Sequence, residues 1–221
     1  MPLPVPVRRL LWPLSRPLLR RLLPLFADED PWERVGTRVP LRSFGAGSTR
    51  DFRWYFEGES TVPVSSLDDL CEWLLGCEYA RDQDLFHEAD FWQHPRTLEH
   101  LRKGDCEDHS LWAWRKLVEL GYEAKLVSGQ TRHENGGSHV WVVFRGDGEE
   151  YLLEATSTCT GRMIRRLAEV KDEYEPHFSV DHRFERSSYT GYLHALRRRI
   201  ASSDQGEPRA ADLGHNTVNP R

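Results

Sequence analysis

The chain has 221 residues, with 30 Lys and Arg against 35 Asp and Glu and a formal net charge of −5. Hydrophobic residues make up 38% and include eight Trp, which supports a packed core and excludes a wholly disordered chain. Gly shows no three-residue period and four Cys are too sparse for a disulfide miniprotein. A mean hydropathy of −0.65 argues against a polytopic membrane protein, and the acidic balance argues against a nucleic-acid partner.

The average hides an asymmetry at the N-terminus. Residues 1–26 hold five Arg, no acid, nine Leu and six of the thirteen Pro; without them 25 basic side chains face 35 acidic ones, a net of −10. Pro13, Arg16, Pro17, Arg20 and Arg21 interrupt every apolar run. The ~7–15 apolar residues of an export signal are therefore absent, as is a membrane span of ~20. Residues 1–30 read as a basic arm, loosely ordered or packed on its own domain. Peripheral membrane contact through residues 1–26 is the second reading. A cytoplasmic location is expected, membrane-peripheral if the arm binds a surface.

From Asp28 to Arg50 the chain is polar and rich in turn residues, a linker into a domain spanning 31–200 with its core at about 51–160. Phe52, Trp54 and Phe56 alternate with polar neighbours, which predicts a short strand. Ser66, with Asp69 three residues on, predicts a helix start. Cys71 and Cys77 then fall six residues apart on that helix, roughly 600° of rotation, and cannot bridge each other. Pro95 suits a first helical position, in a short helix ending near Lys103-Gly104. A longer helix runs from about Cys106 to Leu120, with Leu111, Trp114, Leu117 and Val118 inward and Gly121 as the stop. Three strands follow at Ala124–Gln130, His139–Arg145 and Glu150–Thr156, joined through Asn135-Gly136 and Asp147-Gly148 in an antiparallel meander. Helices are predicted at Arg162–Val170 and Tyr189–Ile200, and residues 201–221 read as a disordered tail.

Gly104-Asp105-Cys106-Glu107-Asp108 sets a Cys where a tight turn meets a helix start, a position whose unpaired N–H groups favour thiolate. The flanking acids oppose this, so a nearby imidazolium is required. His139 opens a strand, and a hairpin turning at Asp147-Gly148 pairs residues whose numbers sum to 295. Glu154 then lies opposite Trp141 and diagonal to His139, ~7–8 Å away at Cα, within reach of a long side chain. Cys106 as nucleophile, His139 as base and Glu154 as orienter make an activated-thiol set. A one-residue slip would turn Glu154 to the other face. His109, three positions from Cys106, is the reserve base. Zinc is disfavoured because no Cys-x-x-Cys or His-Glu-x-x-His occurs. The other three Cys read as free.

The Gly-Asp-Cys-Glu-Asp turn, Gly121 to Gly129, Ser138-His139-Val140-Trp141-Val142 and Tyr151 to Thr156 together resemble the transglutaminase-like superfamily. Phe91-Trp92-Gln93-His94-Pro95 and Leu98 resemble the lead-in to the Cys of its bacterial transglutaminase-like cysteine proteinases. The resemblance implies an α+β, papain-like core: a nucleophile helix on an antiparallel β-sheet, here with a helical C-terminal extension. It assigns Cys106, His139 and Glu154 to the catalytic triad, the last in place of a more usual Asp. Trp92 and Gln93 become candidates for the second oxyanion donor. No cofactor is required, and calcium on Asp105 and Glu107 is the one option the resemblance adds. The function implied is cysteine-dependent hydrolysis of peptide or amide bonds in a protein or peptide substrate through a thioester. Amine acyl transfer and non-catalytic peptide binding are the alternatives. Oligomeric state is not legible.

Overall fold

The computed structural model describes residues 17–36, 51–132 and 137–202. The arm up to residue 16, positions 37–50 of the linker, the Asn135-Gly136 turn and the tail from residue 203 lie outside the described residues. Two units are present: residues 29–192, and a smaller one to which residues 17–28 and 193–202 belong. In the smaller unit Leu23 is buried, and the His194 ring nitrogen Nε2 meets the Phe26 carbonyl at 2.6 Å. Among the described residues no helix is long and apolar enough to cross a membrane.

In chain order the elements are β1 (Arg34–Gly36), α1 (Leu67–Leu75), β2 (Glu78–Tyr79), α2 (Pro95–Leu101), β3 (Lys103–Gly104), α3 (Cys106–Glu119), β4 (Glu123–Thr131), β5 (Ser138–Gly146), β6 (Glu149–Leu153), β7 (Ile164–Arg166), β8 (Tyr174–Asp181), β9 (Arg186–Tyr189) and α4 (Thr190–Ser202). Seven strands form an antiparallel sheet in the order β1-β9-β8-β4-β5-β6-β7, while β2 and β3 make a separate parallel pair. This is the α+β, papain-like architecture expected, a helix laid on an antiparallel sheet.

Local chemistry fixes the helix ends. The Ser66 hydroxyl accepts from the Asp69 N–H and starts α1, a cap worth ~1 kcal/mol. His94 caps α2 by accepting from the Arg96 N–H, Pro95 fills the first helical position, and Arg102 in the left-handed region ends the helix. Gly121, at φ +90°, follows the end of α3. Helix α3 is buried nearly all round: Leu111, Trp112, Trp114 and Leu117 are inaccessible to solvent. Its two cations are buried too, and their protons go to the loop before α1. Arg115 donates to the carbonyls of Tyr55, Glu57 and Gly58, and Lys116 to the Val62 carbonyl and the Ser60 hydroxyl. The buried Glu99 accepts from Thr61 and from the Trp112 indole.

Both faces of the sheet are covered. Ala124, Leu126, Val140, Val142 and Phe144 pack in the same cluster as α3, whereas Val127, Trp141, Val143 and Leu152 pack with Leu167, Val170 and Tyr174. Trp32 closes this second layer, donating its indole N–H to the Lys171 and Tyr174 carbonyls.

Four readings from the sequence change. Phe52–Phe56 is a 3-10 turn, not a strand: the Asp51 carboxylate accepts from the Arg53 N–H, and Phe52 and Tyr55, three apart, are the buried pair. Cys77 lies just beyond the end of α1, with Gly76 between. The third strand of the meander stops at Leu153, short of Thr156. Arg162–Val170 is not one helix but two helical turns flanking β7. Met163 belongs to the α3 side of the sheet and Leu167 and Val170 to the other, so no single helix could bury all three, and an edge strand crosses between the layers. Strands β8 and β9 go unread in the sequence because Pro176 sits inside the first. It is tolerated where the β4–β8 register shifts between Ser128 and Gly129.

Gly129 is paired with His139 on one side and Pro176 on the other. A Cβ there would lie 2.1 Å from the Glu175 carbonyl oxygen and 2.8 Å from the Trp141 ring. Because backbone cannot give way cheaply, Gly129→Ala is expected to cost about 1–3 kcal/mol, measured by urea unfolding. An unchanged midpoint would show that this contact is soft.

Candidate active site

The hairpin register is the one on which the sequence argument depended. Val142 pairs with Leu153 and Gly146 with Glu149, each pair summing to 295. Glu154 follows directly on β6, and its Oε2 lies 2.7 Å from Nε2 of His139. A carboxylate only accepts, so Nε2 carries the proton and Nδ1 is left as the basic nitrogen. The extra methylene of Glu over Asp is accommodated without loss of this bond.

The carboxylate is held at both ends. Thr156 donates its hydroxyl to Oε1 at 2.7 Å, and the Tyr174 hydroxyl donates to Oε2 at 3.1 Å. Tyr174 in turn accepts from Arg165, which is paired with Glu173. Burial raises the Glu154 carboxyl, but the hydrogen bond and charge of His139 and the bonds from Thr156 outweigh it, and the group ends below the ordinary glutamate range. The imidazole stacks toward Trp141 at 6.1 Å between ring centroids. His139, Glu154, Tyr174, Thr131, Ser138 and Arg162 are among the residues lining an open cleft of about 760 Å³. Thr156 and Tyr174 are supports that sequence reasoning did not assign: Thr156 lies within a motif without a role, and Tyr174 lies beyond the motifs.

Cys106 opens α3 as its first residue, after a reciprocal capping box between Asp105 and Asp108. Gly104 is needed there, since a Cβ would come within 2.5 Å of both the Asp108 carboxylate and the Gln93 amide. The thiol is buried. Sγ donates to Glu107 Oε2 at 3.1 Å and makes no hydrogen bond to His139 among the described residues. What reaches it from β5 is the N–H of Val140, the residue after His139. Strand alternation explains this, because Val140 packs in the α3 cluster whereas Trp141, and with it His139, belongs to the opposite face. Burial, then the charge and hydrogen bond of Glu107 and the charge of Asp105, push the thiol far up.

The oxyanion candidates are engaged elsewhere. The Trp92 indole donates to Asp90, and the Gln93 side-chain amide donates to the Lys103 carbonyl and to Asp108. His109 is buried with neither ring nitrogen partnered among the described residues, and burial pushes it down to about 4.

Around the Cys106 turn lies a carboxyl cluster the sequence showed only in part. Ligand-capable atoms of Asp82, Asp105 and Asp108 lie within 4.8 Å of one another, as do those of Asp82, Asp90 and Glu107. Burial and mutual repulsion push Asp82 up to about 6 and Glu107 up to about 10. Asp82 Oδ1 and Asp105 Oδ1 are buried without a hydrogen-bond partner. Hard oxygen donors, in excess of their own hydrogen bonds, fit a hard divalent cation. Asp82 comes from a separate helical turn, at a distance along the chain that no local spacing rule reads.

The site thus combines a buried helix carrying a thiol at its start with an antiparallel sheet that bears a His–carboxylate pair at one strand end. Residues 90–189, a little under half of the chain, match the family model of the CEP76 peptidase-like domain. The match is to a peptidase-like domain and spans all four motifs that resemble the transglutaminase-like superfamily. No curated protein matches the chain. Among solved structures, Legionella pneumophila LapG shares 17% identity at a TM-score of 0.45, covering 71% of this chain and 86% of that one. Calcium-bound LapG shares 19% at 0.42 over 58% and 71%, and EGTA-treated LapG 18% at 0.43 over 67% and 86%.

The Glu154 carboxyl, held low in the fold, contributes stability that is full above about pH 4.3 and is lost as pH falls through its lower native value. The gap in Tm between the native chain and Glu154→Gln should therefore narrow on acidification below pH ~4. A gap independent of pH would mean that the His139 contact does not bias this carboxyl.

Proposed function

We propose that the domain is a thiol hydrolase of peptide or amide bonds, with Cys106 as nucleophile, His139 as general base and acid, and Glu154 as the group that orients the imidazole. The carrying observation is the 2.7 Å His139–Glu154 bond, which leaves Nδ1 basic one residue from the Val140 N–H that meets the thiol. The description of the matched family as peptidase-like supports the same reading. The substrate is a protein or peptide lying in the cleft beside His139.

In the reaction, Sγ gives its proton to His139 Nδ1 and attacks the carbonyl carbon. The C=O pair moves to oxygen, and collapse expels the amine, protonated by the imidazolium. Water, deprotonated by the same imidazole, then cleaves the thioester. An amine in place of water gives acyl transfer. Before the first step the thiol must leave Glu107, since the Sγ–Glu107 contact and the Sγ–imidazole contact compete for one proton.

Carboxyls of this cluster, Asp82, Asp105 and Glu107 among them, would hold calcium, which would supply the counter-charge they lack. Asp108 is committed to Gln93 and to the capping box. The calcium-bound form is one of LapG; for this chain the support is the unpartnered buried oxygens of Asp82 and Asp105. A second reading, a peptide-binding module without turnover, is favoured by the resting Sγ–Glu107 contact.

Iodoacetamide labelling of Cys106, followed by peptide mass mapping, separates these readings. In calcium-containing buffer near neutral pH the native chain should label rapidly, and His139→Ala should label about 10²-fold or more slowly. Equal, slow labelling of the two would leave the binding module. Chelation with EGTA should lower Tm by several degrees, in line with mass-action stabilisation. A Tm indifferent to calcium and EGTA would remove the metal from the proposal while leaving the triad untouched.

A further inference from the structure

Addition of the thiol to a carbonyl places negative charge on oxygen, and two donors are ordinarily aimed at it. The Cys106 N–H, at a helix start where no intrahelical acceptor exists, supplies one. Trp92 and Gln93 spend their donors on Asp90, Asp108 and the Lys103 carbonyl, so the second must come from elsewhere.

Tyr79 ends β2 and is paired with Gly104, two residues before Cys106. The pairing is fixed on both sides: the Glu78 N–H donates to the Arg102 carbonyl at 2.8 Å and the Ala80 N–H to the Gly104 carbonyl at 2.9 Å. The side chain is 56% exposed, and among the described residues its hydroxyl has no hydrogen bond. Burial, and then the charge of Cys106 ahead of those of Asp105 and Glu107, raise this hydroxyl to about 12. The phenol therefore stays protonated at neutral pH. It is a donor carried on the strand paired to Gly104, two residues before the thiol, and on a different element from His139.

We infer that the Tyr79 hydroxyl is the second donor of the oxyanion hole at Cys106. The inference rests on the thiol-hydrolase reading above. As the C–S bond forms, the carbonyl π pair moves onto oxygen, and Tyr79 donates a hydrogen bond to it without transferring its proton. The proton balance remains with His139. When the C–O double bond re-forms and the leaving group departs, the donor is released unchanged.

Two reagents on the full chain test this. p-Nitrophenyl acetate acylates a thiol through a tetrahedral oxyanion, whereas iodoacetamide alkylates by displacement and forms none. Rates are measured in calcium-containing buffer and corrected with Cys106→Ala. In Tyr79→Phe the saturating acylation rate should fall about 10²-fold, with the alkylation rate and Tm unchanged. Acylation at the native rate overturns the inference, as does an equal fall in both rates, which would place Tyr79 in the surroundings of the thiol and not on the oxyanion. Failure of the native chain to react with either reagent above Cys106→Ala would instead sink the hydrolase reading, and the inference with it.

Discussion

Near-complete burial of α3 is the constraint on which the rest depends. A helix enclosed along most of its surface cannot slide, because Leu111, Trp112, Trp114 and Leu117 fix its middle turns. The price of that burial is two cations without water. Arg115 and Lys116 satisfy it by donating to the carbonyls of residues 55–62, which ties the loop before α1 to the helix. Removing one partner from such a network typically costs ~3–5 kcal/mol, more than the pair is worth as an attraction. A rigid helix in turn fixes where Cys106 meets the sheet.

The sheet then divides the site between its two faces. Val140 points to α3 and brings its N–H to the thiol, while His139 shares the face of Trp141 and is held by Glu154, Thr156 and Tyr174. Thiol and imidazole thus belong to opposite faces of the sheet, with His139 near a strand end. The bulge at Ser128–Gly129, beside His139, lets β8 bring Tyr174 under Glu154.

Much of this was legible because short-range rules governed it. Asp147-Gly148 fixed the hairpin register, and the register fixed the Glu154–His139 contact; one residue of slip would have destroyed it. Ser66, Pro95 and Gly121 likewise act within a turn or two of themselves. The failures share an opposite cause. Met163, Leu167 and Val170 keep helical spacing yet serve two different layers, which only the closed sheet reveals. Strand β8 contains a Pro that local propensity rejects and a distant bulge accommodates. Asp82 reaches the Cys106 turn through tertiary placement, so the carboxyl cluster showed only its two nearest members in the sequence.

The electrostatics of the two halves of the site pull in opposite directions, and this separates the orienting of the base from the activation of the nucleophile. Glu154 is held low by bonds that favour its charge, so the imidazole is oriented and its Nδ1 kept basic without reference to the thiol. Cys106 instead sits among carboxyls that penalise any further negative charge. Repulsion from a buried carboxylate is not relieved by solvent, because the interior screens it poorly. Orientation of His139 therefore does not offset the cost that burial and any charged neighbouring carboxyl place on a thiolate at Cys106. Protonated, Glu107 keeps its hydrogen bond to the thiol, whereas a divalent cation held by its oxygens would supply counter-charge beside Cys106.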